Sequence, residues 1–392
     1  MDHYEIVCLR SCKMKMIVRI GLSVCLALLV LAVAEAQNIK TVDGVIVVSN
    51  GKRPTSPPGQ PKRLMMTEEL TVGLSNNPDE SFTDVSYLAV DAEGKIYCLD
   101  IKDQKIKVFD KNGKLLLAIG KQGQGPGEFG LAVGIQITGD NLLMVEDNAV
   151  RRLALFKPTG EFVRNISMAD KLGLVSLLLD PQGNYLGREV VVDKSNGKMF
   201  FEAKKFDQNL KPLFTLDKIE YPIPNPGSKA KMNYLEMKSV YQFDPAGNIY
   251  YGRNQTYDIK VYSPEGKHIR TIEKEYDRIK ITQQDIEGMI AATANKMPGV
   301  NYRDLFAFPD YYPPYDSFVL DEQGRLFVRT YNKGKAKDGV VVDVFNAEGR
   351  FIAQFITGSD LKLFKKNKAY GVEVTADGIL VVKRYAVTWK VK

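Results

Sequence analysis

The 392-residue sequence predicts an all-β fold, a six-bladed β-propeller of four-stranded antiparallel blades. Three observations carry that expectation. A tight turn of the Asp-x-x-Gly kind, or a near variant of it, occurs six times between apolar runs of strand length. A second turn occurs five times, each closing the hairpin that follows. Finally, Met65–Val72 is a strand-length run without a partner ahead of the first repeat, while the last repeat ends one strand short.

In chain order, Lys13, Lys15 and Arg19 precede an apolar run over 20–33, and Ala34-Glu35-Ala36 follows it. A basic start, a short apolar stretch and an Ala-x-Ala site define a cleavable signal peptide over residues 1–36, cut after Ala36. Met14 and Met16 are alternative starts. The lipoprotein-like Leu22-Ser23-Val24-Cys25 ranks behind cleavage at Ala36, because Val24 sits where a small residue belongs. No later segment is long and apolar enough for a membrane span, so the mature chain is expected to be secreted or periplasmic, without a transmembrane segment. Loss of the leader's four basic and three acidic residues takes the formal net charge from +7 to +6. That charge is mild and scattered, unlike a nucleic-acid footprint. Cys8, Cys12, Cys25 and His3 leave as well, and Cys98 and His268 remain as the single thiol and the single imidazole. An intramolecular disulfide, a cysteine cage and multi-histidine chemistry are thereby excluded within one chain.

Residues 37–63 combine the apolar run Val45–Val48 with Pro54, Pro57, Pro58 and Pro61, and are expected to form an extended surface linker whose deletion is tolerated. The propeller occupies 64–392. Its first turn series is Asp91–Gly94, Thr138–Asn141, Asp180–Gly183, Asp244–Gly247, Asp321–Gly324 and Ala376–Gly378. Its second is Asp110–Gly113, Lys157–Gly160, Asp207–Leu210, Ser263–Gly266 and Asn346–Gly349. Such turns suit tight hairpins, since glycine accepts positive φ at their ends. Met65–Val72 is expected to pair with Val387–Val391 and complete the sixth blade, which removes the seam between the chain's two ends. Two connecting loops echo each other: Gly73 to Phe82 and Gly120 to Phe129 both run glycine, polar residues, proline, glutamate, phenylalanine.

The segments DAEGKIYCLD, IKVFDKNGKLL, GQGPGEF, DPAGNIYYGR, IKVYSPEGK and DEQGRLFVR resemble the NHL-repeat family, specifically its secreted bacterial six-bladed propellers. The resemblance runs from Leu64 to the C-terminus. It weakens in the third repeat, where Asp207-Gln208-Asn209-Leu210 lacks the glycine. What it implies is a fold and a secreted scaffold, with no particular activity.

One segment breaks the β rhythm. Residues 275–314 intervene between the fourth and fifth repeats, with a capping-box-like Thr282-Gln283-Gln284-Asp285. Ile286, Met289 and Ile290 then share a helical face that Pro298 ends. Tyr311, Tyr312 and Tyr315 follow in an aromatic and proline-rich cluster. This reads first as a satellite core pinning the helix to the propeller, and second as a stacking platform for a glycan or peptide.

The remaining motifs favour structural readings. The aspartate turns lack the ligand spacing of a calcium loop. The glycines of GQGPGEF lack the Lys-Ser/Thr and helix of a phosphate cradle. Lys362, Lys365, Lys366 and Lys368 read as a solvated strand edge, and Cys98 as a buried small hydrophobe.

These exclusions leave an exported, monomeric, non-enzymatic binding or scaffold protein without cofactor or metal, holding a protein, peptide or glycan ligand on one propeller face. The alternative is a metal-assisted propeller hydrolase or lyase with an acidic central channel; a nucleic-acid binder ranks last. Outer-to-inner and second-to-third loops share one face in this strand order, so the insertion 275–314 belongs there. The second-strand ends read Asp100, Glu146, Glu189, Arg253, Thr330 and Lys383, with Arg188 and Arg329 one residue earlier. The plainer reading is ordinary rim charge. The functional reading has Arg253, Arg329 and Lys383 gripping an anionic group, with Arg188 assisting across the channel and Tyr311, Tyr312 and Tyr315 covering it. It requires these cations to converge at the channel mouth.

Overall fold

The Asp-x-x-Gly segments fold as hairpin turns because the aspartate side chain holds the turn amides. Asp110 Oδ1 accepts from the backbone N–H groups of Asn112 and Lys114 at 2.8 and 2.9 Å. The same pair of bonds recurs at Asp180, Asp207, Asp244 and Asp321. A computed structural model describes residues 38–55, 63–171, 173–221, 231–235, 239–294, 302–334 and 339–390. The expected signal peptide, Pro57, Pro58, Pro61 and Pro298 lie outside the described residues.

The chain opens with β1 (Asn38–Val42), β2 (Val45–Asn50) and β3 (Arg63–Val72). Blade one is β4 (Val85–Val90), β5 (Ile96–Asp100), β6 (Lys105–Phe109) and β7 (Leu115–Ile119); blade two is β8 (Ala132–Ile137), β9 (Leu143–Asp147), β10 (Arg152–Phe156) and β11 (Phe162–Ser167). Blade three is β12 (Val175–Leu179), β13 (Tyr185–Val192), β14 (Met199–Phe206) and β15 (Pro212–Tyr221). After the short β16 (Met232–Asn233) comes blade four: β17 (Ser239–Phe243), β18 (Ile249–Arg253), β19 (Asp258–Tyr262) and β20 (His268–Lys274). The insertion holds α1 (Gln283–Ala294), α2 (Tyr302–Leu305) and β21 (Phe306–Ala307), and β21 pairs in parallel with β16. Blade five is β22 (Ser317–Leu320), β23 (Leu326–Arg329), β24 (Val340–Phe345) and β25 (Phe351–Thr357). Blade six is β26 (Asp360–Lys365), β27 (Lys368–Val374) and β28 (Leu380–Lys390), completed by β3.

The ring closes as the orphan strand requires. Met66 lies opposite Val387 and Met65 opposite Thr388 in an antiparallel register, and Cys98 is fully buried. The core is a ring of six apolar clusters, one per seam between neighbouring blades. The seam between blades one and two joins Tyr97 and Val108 to Phe129 and Phe156. That between blades four and five joins Ile259 and Ile272 to Phe318 and Phe345. Buried ion pairs reinforce two seams: Lys205 meets Asp180 at 2.9 Å and also donates to Pro264 O of the next blade. Lys274 of blade four meets Asp343 of blade five at 3.3 Å.

Three expectations are corrected. The segment 37–63 is not wholly an extended linker, because β1 and β2 form a hairpin and β2 adds in parallel to β20, widening blade four to six strands. The apolar run Val45–Val48 was the signal, and Val48 is fully buried. Next, Ala376–Gly378 lies between β27 and β28, the second and third strands of its blade, and so belongs to neither expected turn series. The first turn of blade six is Lys365–Lys368, with Lys366 and Asn367 at φ of 52° and 56°. That is the two-residue hairpin geometry of a primed turn, and it replaces the solvated strand edge expected of these lysines. Among the described residues no helix is long and apolar enough to cross a membrane.

Candidate functional site: the channel mouth on the loop face

The first strand of each blade lines the central channel, and the outer-to-inner and second-to-third connections gather on one face. The insertion, both glycine loops and the elongated β13–β14 hairpin therefore stand on that side. The glycine loops are built alike. Phe82 folds back on Gly73 and Phe129 on Gly120. A buried cation then threads each loop's carbonyls: Lys107 Nζ donates to Pro78 O at 3.0 Å and to Ser81 O. Arg152 donates to Gln124 O, Gly125 O and Glu128 O at 3.2, 3.2 and 2.7 Å. The loop carbonyls named here are thus taken up internally, and these loops frame the face.

Correct alignment of the second strands changes the expected charge pattern. Asp147, not Glu146, ends β9 as Asp100 ends β5, and Glu373 takes the equivalent place in blade six. Asp100 and Asp147 are fully buried. Each accepts two successive amides of the preceding loop, Thr83 and Asp84 in one case and Gly130 and Leu131 in the other, at 2.7 to 3.1 Å. They are loop caps. The strand ends read from the sequence run acidic over blades one and two, mixed at blade three and basic over blades four to six, and this pattern fails at blade six, which contributes a glutamate.

The expected cations do not converge. Arg253 forms a bidentate pair with Asp217 on the outer strand of blade three, with Nε 2.6 Å from Oδ2. Burial pushes Asp217 up, but Arg253 and Tyr251 outweigh it and hold its carboxyl below the ordinary value. Arg329 donates to Ser359 O at 3.1 Å between blades five and six. Lys383 lies on the third strand of its blade, between Glu373 at 2.9 Å and Glu68 at 3.1 Å. The tyrosines divide similarly. Tyr315 is fully buried, donating to Arg253 O at 3.0 Å, and Tyr312 stacks on Tyr331 at 4.7 Å. Tyr315 thus belongs to the core of the seam between blades four and five, and Tyr312 packs on the tyrosine that follows the second strand of blade five. Tyr311 stays partly exposed, with the Arg278 guanidinium 3.8 Å from its ring centre.

Arg188 alone of these cations lies at the channel. It stands at the fourth position of β13, opposite Val175 of the inner strand, where β12 carries a bulge. Ser176 in that bulge takes φ of 60°. Glu146 of blade two caps the bulge, accepting Ser176 N and Leu177 N at 2.9 Å each. Burial pushes the Glu146 carboxyl above its ordinary value, offset in part by those amides and by Arg188. Tyr241 of blade four donates to Ser176 O at 2.7 Å. Tyr87 of blade one, 41% exposed, feels both Glu146 and Arg188. Side chains from four blades can face one another only around the axis. Arg188 Nη2 donates to Ser176 Oγ at 3.2 Å, and its Nε is buried without a partner among the described residues.

Sequence reasoning missed Tyr87, Ser176 and Tyr241, whose only signal was a polar group on an inner strand. Among the described residues no three His, Cys, Asp or Glu side chains gather in a way that could hold a metal ion.

Fold and site together define a propeller with a small polar cluster at its channel mouth. The chain belongs to the 6-bladed beta-propeller family DUF5128, whose model matches residues 77–305. It is similar to Protein brain tumor of Drosophila melanogaster, 26% identical over 160 residues; the match covers 39% of this chain and only 14% of that protein. Among solved structures it is similar to a presumed exported protein of Bacteroides fragilis, with TM-score 0.54 and 13% identity over 88% of this chain and 99% of that one. It is also similar to a member of the duf4221 family from Bacteroides vulgatus, with TM-score 0.50 and 13% identity over 84% and 100%. At such identity these likenesses show the fold alone. The NHL-like motifs remain a resemblance beside the family membership.

Proposed function

We propose that this chain is an exported, non-enzymatic binding module that holds a protein or peptide partner on its loop face. The observation that carries the reading is the half-buried Arg188 at the channel mouth, with a buried Nε that lacks a partner among the described residues. A buried donor without a partner costs about 1–3 kcal/mol, a cost that an arriving acceptor removes. Glu146 is occupied by two backbone amides and so is poorly placed as an acid or base. The cluster thus offers donors, from Arg188 and the Tyr87 hydroxyl, to a carbonyl or carboxylate of the partner. Export is supported by the leader pattern and by the likeness to a presumed exported protein.

The test is capture of partners from an envelope extract on the immobilised chain, read by mass spectrometry. Arg188→Ala is expected to reduce capture about tenfold, the loss of one charge-assisted hydrogen bond. Arg329→Ala is expected to leave capture unchanged. Equal capture by both variants, or a stoichiometric divalent ion in the purified protein, would sink the proposal.

A further inference from the structure

We infer that the seam between blades three and four is a second site, a cleft for a neutral saccharide, separate from the channel mouth. Among the described residues, the seam's apolar cluster holds five buried residues against nine or more in each of the other five. Where packing thins, an open cleft of ≈ 340 Å³ lies between Asp217 of the outer strand of blade three and the second and third strands of blade four. That is the small end of the range for ligand sites, roughly 300–1,000 Å³, with room for one sugar unit or the end of a chain.

The lining selects the chemistry. Two carboxylates, Asp217 and Asp258, face two cations, Arg253 and Lys260, so the formal charges cancel. A ligand with net charge gains nothing from such a wall, whereas a polyol finds donors and acceptors side by side. Arg253 is preorganised by its two bonds to Asp217, which also accepts the Tyr251 hydroxyl. Lys260 makes no ion pair among the described residues. Asp217 and Arg253 remain reachable, with side chains 18% and 40% exposed. The floor is aromatic. Tyr262 lines the cleft, and its ring lies on His268 at 5.1 Å, tilted by 33°. A ring held in this way offers a rigid surface for the C–H face of a sugar while the charged quartet addresses its hydroxyls.

The experiment is saturation-transfer NMR and calorimetry of the full chain with glucose, galactose, mannose, N-acetylglucosamine and their β-linked disaccharides, with glucuronate and glucosamine as charged congeners. At least one neutral sugar is expected to bind saturably and more tightly than the charged pair. Tyr262→Ala should weaken it about tenfold while Tyr262→Phe retains it, and Lys260→Ala should weaken it with the fold intact by circular dichroism. Arg188→Ala should leave sugar binding unchanged, which separates this site from the channel mouth. Absence of binding across the panel overturns the inference, as does preference for a charged congener or full affinity in both Tyr262→Ala and Lys260→Ala.

Discussion

Gly120 holds φ of +83°, and a Cβ there would lie 2.0 Å from the Phe129 ring. Ring and backbone cannot both stay in place, so Gly120→Ala is expected to cost on the order of 3 kcal/mol in urea unfolding. Gly139, with nothing within 4 Å of its Cβ position among the described residues, is the control. Gly139→Ala should stay within about 0.5 kcal/mol, and equal losses at the two positions would refute the packing argument. His268 supplies a second test at this scale. Its Nε2 lies 3.0 Å from both Arg270 O and Thr271 Oγ1. Burial lowers its pKa below the ordinary 6.5, with Lys260 adding to the effect and the Arg270 carbonyl opposing it. The unfolded chain then takes up a proton before the folded one does. This residue's contribution is complete above pH 6.5 and is lost as pH falls toward the folded value. A melting temperature lower at pH 5.5 than at pH 7.5 is expected, with a shallower drop in His268→Gln. An unchanged drop in that variant would remove His268 from the account.

Two elements illustrate how a repeat accommodates exceptions. In blade two the closing-turn Gly160, at φ of +86°, lies over Leu117 and Ile119 of the outer strand of blade one. Blade three has Leu210 at that turn position. It accepts φ of 60° and buries its side chain in the cluster between blades two and three, so packing compensates a conformation that leucine rarely adopts. The β1–β2 hairpin is the second exception. Asn50, buried at the end of β2, donates to Glu273 O and Gly349 O at 2.9 and 3.0 Å and accepts Phe351 N at 2.8 Å. It thus ties the added strand to blades four and five. Asn50→Ala should cost about 1–3 kcal/mol by leaving buried backbone groups unpaired. Deleting residues 37–55 should lower the melting temperature, contrary to the tolerance expected of a linker. A truncated chain that melts with the full-length one would show the hairpin to be passive.

At the scale of the whole molecule, stability depends on closure. Strand β3 supplies the outer strand of blade six, and its Val72 joins Val90 and Phe109 of blade one in the next seam. Deletion through Gly73 therefore opens an edge along β28 and strips one side of a seam. Loss of a single cooperative unfolding transition is expected, read by calorimetry against the 37–55 deletion, which leaves the ring intact. A cooperative transition in both would mean that five complete blades and one partial blade suffice.

The turns, the number of blades and the closing strand were legible in the sequence because each depends on local chemistry. Asp110 captures amides two and four residues away, and an unpaired strand such as Met65–Val72 must find a partner. Even so, local pattern misled where two runs looked alike. Ala376–Gly378 matched a turn motif, but the two-residue turn at Lys366-Asn367 lay unnoticed before it, and Lys383 shifted to another strand. The site was legible only in Arg188. Whether Arg253, Arg329 and Lys383 met one another depended on which neighbour each reached first, and Asp217, Ser359 and Glu373 are distant or unmarked in the chain. The tertiary structure alone brings Tyr87, Glu146, Arg188 and Tyr241 from four blades around one axis, because contacts across a ring are set by closure and not by any local run of residues.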